Sequence, residues 1–250
     1  MYSSSTGRIW LANARGNHEV GFRQGGVSMT YIFDFSVLLP YWDTLLSGCW
    51  LSLSMTTLSL IFGLGIGLLT LLALRSPFRL LRLVATSYIE TIRNTPFLVQ
   101  VLFLYFGLPT LGFALTPWPA AVLALSLNCG AFAAEIIRGG VDGIPKGQFE
   151  AGAALGLSPL DVLRFIILKP AMRAIFPALS SQFILLLLAS SIASSISAEE
   201  LTAVAGEIDT TVFRSFEVYI VATLLYLTMA TILSTASKII ERRAFSYPVK

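Results

Sequence analysis

Few side chains in this 250-residue sequence could do chemistry, and they are scattered. The one histidine, His18, lies in a polar, glycine-rich leader with no nucleophile or metal ligand beside it. Cys49 and Cys129 stand in apolar runs and form no CxxC pair, so they read as small buried hydrophobes. The chain has no HExxH, no paired aspartates and no Ser/His arrangement, which leaves no catalytic and no metal residue to name. It also has no GxxxxGKS/T loop, so nucleotide hydrolysis by that route would belong to another chain. What remains is a set of charges and amides in apolar surroundings: Glu90 with Arg93, Glu135 with Arg138, Gln100, Asn128, and serines including Ser190 and Ser191.

Those surroundings identify the solvent. Hydrophobic residues make up 55% and charged residues 12%, about half the charged fraction of a soluble domain. Mean hydropathy is +0.77. Most of the surface therefore faces lipid, and a net charge of +3 gives no argument for a nucleic-acid partner. A bilayer core about 30 Å thick needs about 20 apolar residues as helix. Five stretches qualify, at about 45–74, 88–108, 118–137, 175–196 and 216–239. The expected fold is all-α, a polytopic membrane bundle of five transmembrane helices. In the first stretch, Gly63 and Gly67 have the small-xxx-small spacing that lets two helix backbones approach.

Charge alternates between the loops. Arg75, Arg79 and Arg82 separate the first two stretches, and residues 109–117 carry no charge. Arg138, Lys146, Arg164, Lys169 and Arg173 lie between the third and fourth, 198–214 is mostly acidic, and the tail holds Lys238, Arg242, Arg243 and Lys250. Basic loops stay in the cytoplasm, so the N-terminus is expected outside and the C-terminus inside. Arg8, Arg15 and Arg23 oppose this, and all precede Met29. The chain divides into a leader (1–40), a transmembrane domain (41–243) and a cytoplasmic tail (244–250). Residues 1–28 are expected to be either disordered or upstream of a true start at Met29.

On this topology, Glu90/Arg93 and Glu135/Arg138 lie near the cytoplasmic face, three residues apart in each pair. Ionised groups near lipid usually pair, so each pair either fixes a helix end or belongs to a gate. Gln100 and Asn128 lie deeper, as interhelical glue or as pathway lining. Ser190 and Ser191 either line a polar path or permit close packing.

The most informative stretch is 143–161. Pro145 and Gly147 interrupt the chain, and Phe149, Ala153 and Ala154 recur at near-helical spacing. Gly156 is expected to end this short helix. Ser158 is a good N-cap, Pro159 a good first residue, and Asp161 suits the positive end of a second short helix. A small-faced helix held outside the membrane suits a groove on a partner, although an ordinary interfacial loop would show the same pattern.

The stretch resembles the EAA loop of ABC-importer permeases: Glu-Ala-Ala, three residues, Gly, then about nine residues to Ile-x-Leu-Pro. Glu150-Ala151-Gly152, Gly156 and Ile166-Ile167-Leu168-Lys169-Pro170 stand in those places. Two departures are visible: Gly152 replaces the second alanine, and the proline comes one residue late. The first departure predicts a looser helix. Residues 88–100 resemble the Y-x-E-x-x-R-x-T-P-x-x-x-Q segment of the polar amino-acid branch (histidine-, glutamine- and opine-type permeases), and 131–140 its A-Y-x-x-E-I-x-R-G-G segment. The resemblance extends over 29–243.

It implies an importer permease that forms the pathway for polar amino acids across the bacterial inner membrane, not an enzyme. Its coupling loop would comprise Gly147, Gln148, Glu150, Ala151, Gly152 and Gly156. Implied partners are two ATP-binding-cassette ATPases, which bind ATP and Mg, a second permease (identical or related), an extracytoplasmic amino-acid-binding protein, and lipid. Relatives in this branch often carry Lys-x-Thr-Ser-Leu where Leu188-Ala189-Ser190-Ser191-Ile192 stands here, so no single cargo is named and an opine or other small polar solute stays open. A secondary transporter would dispense with the ATPase; five spans without inverted halves speak against it.

Overall fold

The computed structural model describes the backbone of residues 20–24 and 27–244, and side chains from Tyr31 onward. His18, Arg8, Arg15, Lys250 and the first nineteen residues of the leader lie outside the described residues. Within the leader, β1 (Val20–Gln24) pairs antiparallel with β2 (Val27–Tyr31). A 3-10 turn at Phe35–Tyr41 follows, capped by Asp34, whose carboxylate accepts the Ser36 N–H.

The rest is helical. α1 covers Trp42–Leu74, α2 Arg79–Arg93 and α3 Phe97–Leu102. A π turn at Phe103–Gly107 and a 3-10 turn at Leu108–Leu111 continue α3. α4 covers Pro117–Asp142, α5 Lys146–Ala154 and α6 Pro159–Asp161. A π turn at Val162–Ile167 joins α6 to α7 (Leu168–Ser190), which runs into a 3-10 turn at Ser191–Ile196. α8 (Leu201–Val212) and α9 (Ser215–Ala244) complete the bundle.

Among the described residues four helical segments are long and apolar enough to cross a membrane: Phe35–Leu74, Pro117–Asp142, Pro159–Ile196 and Ser215–Ala244. A bent pair, Arg79–Arg93 and Phe97–Leu111, turns through 114° and makes a fifth where its two arms count as one span. Four to five candidate spans fit the expected all-helical bundle, but the second expected stretch is not one continuous helix over 88–108. Pro96 explains the break: it has no N–H for the Ile92 carbonyl, and it drives Thr95 out of the α region. The fourth span also differs from expectation. It begins at Pro159 rather than near 175, so the second helix of the 143–161 stretch is not a separate short helix but the leading end of a span. Pro170 stands four residues after Ile166, where its ring crowds that carbonyl, and the π turn at Val162–Ile167 widens the helix just ahead of it.

α1 and α4 form the central pair. A Cβ on Gly63 would sit 2.6 Å from the Cys129 Cβ, and one on Gly67 2.9 Å from that of Ala133. Dispersion contacts across so close an approach replace a hydrophobic drive that lipid cannot supply. Met55, Ala121, Leu125, Cys129 and Leu186 are buried at this centre. A second cluster, with Leu45, Leu201, Ile208 and Val218, seats α8 and α9 on α1. A third, Val162, Ile167, Ala171 and Ile175, lies beneath the α5 segment with Ile136 and Ile144 against it.

Candidate functional site

The 143–161 stretch is a helix, a glycine turn and a second helix. Leu155 caps α5, and Gly156 follows in the left-handed region with φ 73. Its N–H donates to the Ala153 carbonyl at 3.0 Å, and the Leu157 N–H to that of Gly152 at 3.2 Å. These two bonds define a Schellman cap, whose left-handed residue is usually glycine because a Cβ there costs strain. Ser158 then caps the next helix as expected: its Oγ accepts the Asp161 N–H and donates to Asp161 Oδ2 at 2.6 Å. The turn is therefore fixed by hydrogen bonds.

Gly147, Glu150, Ala151, Ala153, Ala154, Leu155 and Gly156 are exposed, and Gln148 is half-buried. Gly152 alone in α5 is buried, and its missing Cβ would lie 2.8 Å from both Val162 and Ile166. The missing Cβ thus lets α5 lie close against the π turn. The arrangement is an exposed, small-residue helix clamped to the end of a membrane span.

The second constellation gathers around the bend between α2 and α3. Glu90 and Arg93 do not pair. Asn94 Nδ2 donates to Glu90 at 3.0 Å, while Arg93 crosses to Glu135 on α4 at 3.1 Å. Glu135 also holds Arg138 at 2.8 Å, as its i,i+3 spacing predicts, and Arg93 lies over the Phe132 ring. The reason is positional: α2 ends at Arg93 against α4, so a carboxylate on α4 is within reach, and Asn94 occupies Glu90.

Gln100 and Asn128 meet. Asn128 Nδ2 donates to Gln100 Oε1 at 3.2 Å. The Gln100 amide donates to the Ile92 and Thr95 carbonyls at 2.8 and 3.1 Å. It thus covers a carbonyl that Pro96 left without a donor, and it ties the bend to α4. The Tyr88 hydroxyl adds a bond to the Leu127 carbonyl at 2.5 Å. Ser190 and Ser191 turn back on their own helix, to the carbonyls of Leu187 and Leu188 at 2.7 Å each. Ser190 is buried.

Two buried carboxylates escaped the sequence reading. Glu200 is fully buried at the start of α8, where Oε1 accepts the Ala203 N–H at 2.8 Å and Oε2 accepts from the Tyr226 hydroxyl and from Ser52 at 3.4 Å. Glu217 accepts from the Tyr31 hydroxyl and the Asp34 N–H and pairs with Arg214 at 3.3 Å. The bond to Glu217 pushes the Tyr31 phenol above its usual pKa. Of the two, only Glu200 carries a local signal, as the second of the pair Glu199-Glu200 just before an apolar helical run. Among the described residues no three His, Cys, Asp or Glu side chains are grouped to hold a metal ion.

Comparison with known proteins places this geometry. Residues 48–246 match the family model described as binding-protein-dependent transport system inner membrane component. The L-cystine transport system permease protein TcyB of Bacillus subtilis (strain 168) is 39% identical over 211 residues, covering 84% of this chain and 90% of that protein. The glutamine transport system permease protein GlnP of Escherichia coli (strain K12) is 38% identical, covering 84% and 97%. A chain in the crystal structure of an amino acid ABC transporter with histidines is 37% identical, with a TM-score of 0.81 over 85% of this chain and 100% of that one. A chain of the inward-facing MetNI methionine ABC transporter shares the fold, with a TM-score of 0.69 at 24% identity over 82% and 98%. Matched over most of its length in sequence and in fold, the chain belongs to the family of binding-protein-dependent transport system inner membrane components.

Proposed function

We propose that this chain is the pathway-forming permease of an ATP-driven importer for polar amino acids, with α5 and the Gly156 turn as the seat of a cytoplasmic ATPase. One observation carries the reading: α5 exposes Glu150, Ala151, Ala154 and Leu155 while Gly152 locks it to a helix that runs into the span Pro159–Ile196. A push on α5 therefore acts on a membrane helix directly. Relatives named for cystine, glutamine and arginine transport support an amino-acid cargo.

In this reading α5 faces the cytoplasm of a bacterium, with the N-terminus outside and the inner membrane as the location. The exposed basic residues Arg75, Arg79, Arg82 and Lys146 cluster at that end. Glu90, Arg93, Glu135 and Arg138 lie along its inner mouth as a charged gate, and Gln100 and Asn128 hold the bent span beside it. Two ATPases carry ATP and Mg, a second permease completes the pathway, and an extracytoplasmic binding protein delivers cargo. ATP-driven closure of the ATPases shifts a two-state bundle by pulling on the seats.

Co-purification tests the coupling role. The ATPase subunit is expected to come down with the native chain and to be lost with Glu150→Ala combined with Gly156→Ala. Retention of the subunit by that double variant would sink the reading.

A further inference from the structure

Of the two places where the loop departs from the EAA pattern, one packs against the π turn that precedes the other. Pro170 comes one residue late and follows the π turn Val162–Ile167, and Gly152 replaces an alanine. Val162 Cγ2 and Ile166 Cδ1, both in the π turn, each lie 2.8 Å from where a Cβ on residue 152 would be. The Ile166 contact is the tip of a long side chain, which can swing away. Val162 is β-branched, buried and stiff at its first torsion, so it forms the wall. The Gly152 carbonyl meanwhile accepts from Leu157 across the Gly156 turn.

We infer that Gly152 is a positioning residue for coupling: with Val162 it forms a size-matched contact that sets how closely, and so at what angle, α5 is presented to the ATPase. An alanine here lifts α5 off the π turn. Shortening Val162 lets the alanine in and returns α5 to its seat. The inference rests on the coupling role given to α5 above.

The test uses the whole transporter, captured through this chain with its ATPase and binding protein and placed in proteoliposomes. Uptake of a radiolabelled mixture of cystine, glutamine and arginine is divided by ATP hydrolysed, a ratio that mere loss of folded protein does not move. Gly152→Ala should lower the ratio at least about fivefold, the low end of what overpacking a buried contact costs. Adding Val162→Ala should bring it back within about twofold of native. Where Gly152→Ala prevents ATPase capture, the same rescue is read in the amount captured. A native ratio in Gly152→Ala, or a double variant as poor as the single one, overturns the inference. Failure of the native chain to capture any ATPase instead overturns the function assigned to α5.

Discussion

Glu200 offers a sharp energetic test, because a buried carboxylate ties three elements together. It caps α8, accepts from Tyr226 on α9, and meets Ser52 on α1. Glu200→Ala removes the cap, worth about 1 kcal/mol. It also strips the buried Tyr226 hydroxyl and Ser52 of an acceptor, at about 1–3 kcal/mol for a polar group left short. Thr202 Oγ1, 3.0 Å from the Tyr226 hydroxyl, limits that loss. A net cost of about 3 kcal/mol is expected, which for a chain of this size lowers the melting temperature by roughly 6–12 °C. Tyr226→Phe should cost about 1 kcal/mol, and Glu200→Gln less than Glu200→Ala, because its amide oxygen can still cap Ala203. The assay is thermal unfolding of the purified transporter in one detergent, followed by loss of the monodisperse chromatographic peak. The decisive quantity is the coupling between Glu200→Ala and Tyr226→Phe, which should exceed about 0.5 kcal/mol. Additive losses would refute the argument, since the carboxylate and phenol would then stabilise the bundle independently.

Gly63→Ala should cost the α1–α4 contact heavily and lower the yield of folded protein, because its Cβ would meet Cys129, whereas Gly65→Ala, with open space around it, should match native yield on the same column. Arg93→Ala should change thermal stability by no more than about 1 kcal/mol, since its pair with Glu135 is partly exposed, yet lower ATP-dependent uptake if the charged mouth is a gate. Asn128→Leu should leave Gln100 Oε1 without its donor and loosen the α2–α3 bend, seen as faster proteolysis near Asn94. A cysteine placed at Gln148 should be labelled by an impermeant maleimide only in inverted vesicles, with little background from the buried Cys49 and Cys129.

Features with a one-dimensional cause were legible in the sequence. Apolar length marks the spans, Gly63 and Gly67 mark a close helix approach without naming its partner, and the order Gly156, Ser158, Pro159, Asp161 marks the cap-and-restart of the loop. What was misread depends on relations across space or on bond geometry. Pro96 breaks the second stretch, but a hydropathy window averages over it, so a bend reads as a straight span. Arg93 was assigned to its sequence neighbour Glu90, although the end of α2 lies against α4 and Glu135. The packing of Gly152 depends on the Cβ it lacks toward Val162, and nothing in residues 143–156 points there. Glu200 lies among the acidic residues of 198–214 and Glu217 at the head of the fifth apolar stretch, and the distant tyrosines that meet them cannot be read from either place.

These contacts also limit how the bundle can move. A Cβ on Gly140 would meet Ile175 at 2.2 Å, so α4 and α7 touch backbone to side chain just beyond the loop that joins them. α5 is tied to the same region through Gly152. Displacing α5 alone would open its contact with Val162 and Ile166, and the buried cluster that holds Val162 and Ile175 also packs on Ile136 and Val141 of α4, so α4, α5 and the early part of α7 move together at lower cost. The bend between α2 and α3 follows α4, because its polar contacts through Tyr88, Arg93 and Gln100 end on Leu127, Glu135 and Asn128 of that helix. A displacement of α5 therefore reaches Arg93 and Glu135 through α4, without any contact between the loop and those side chains.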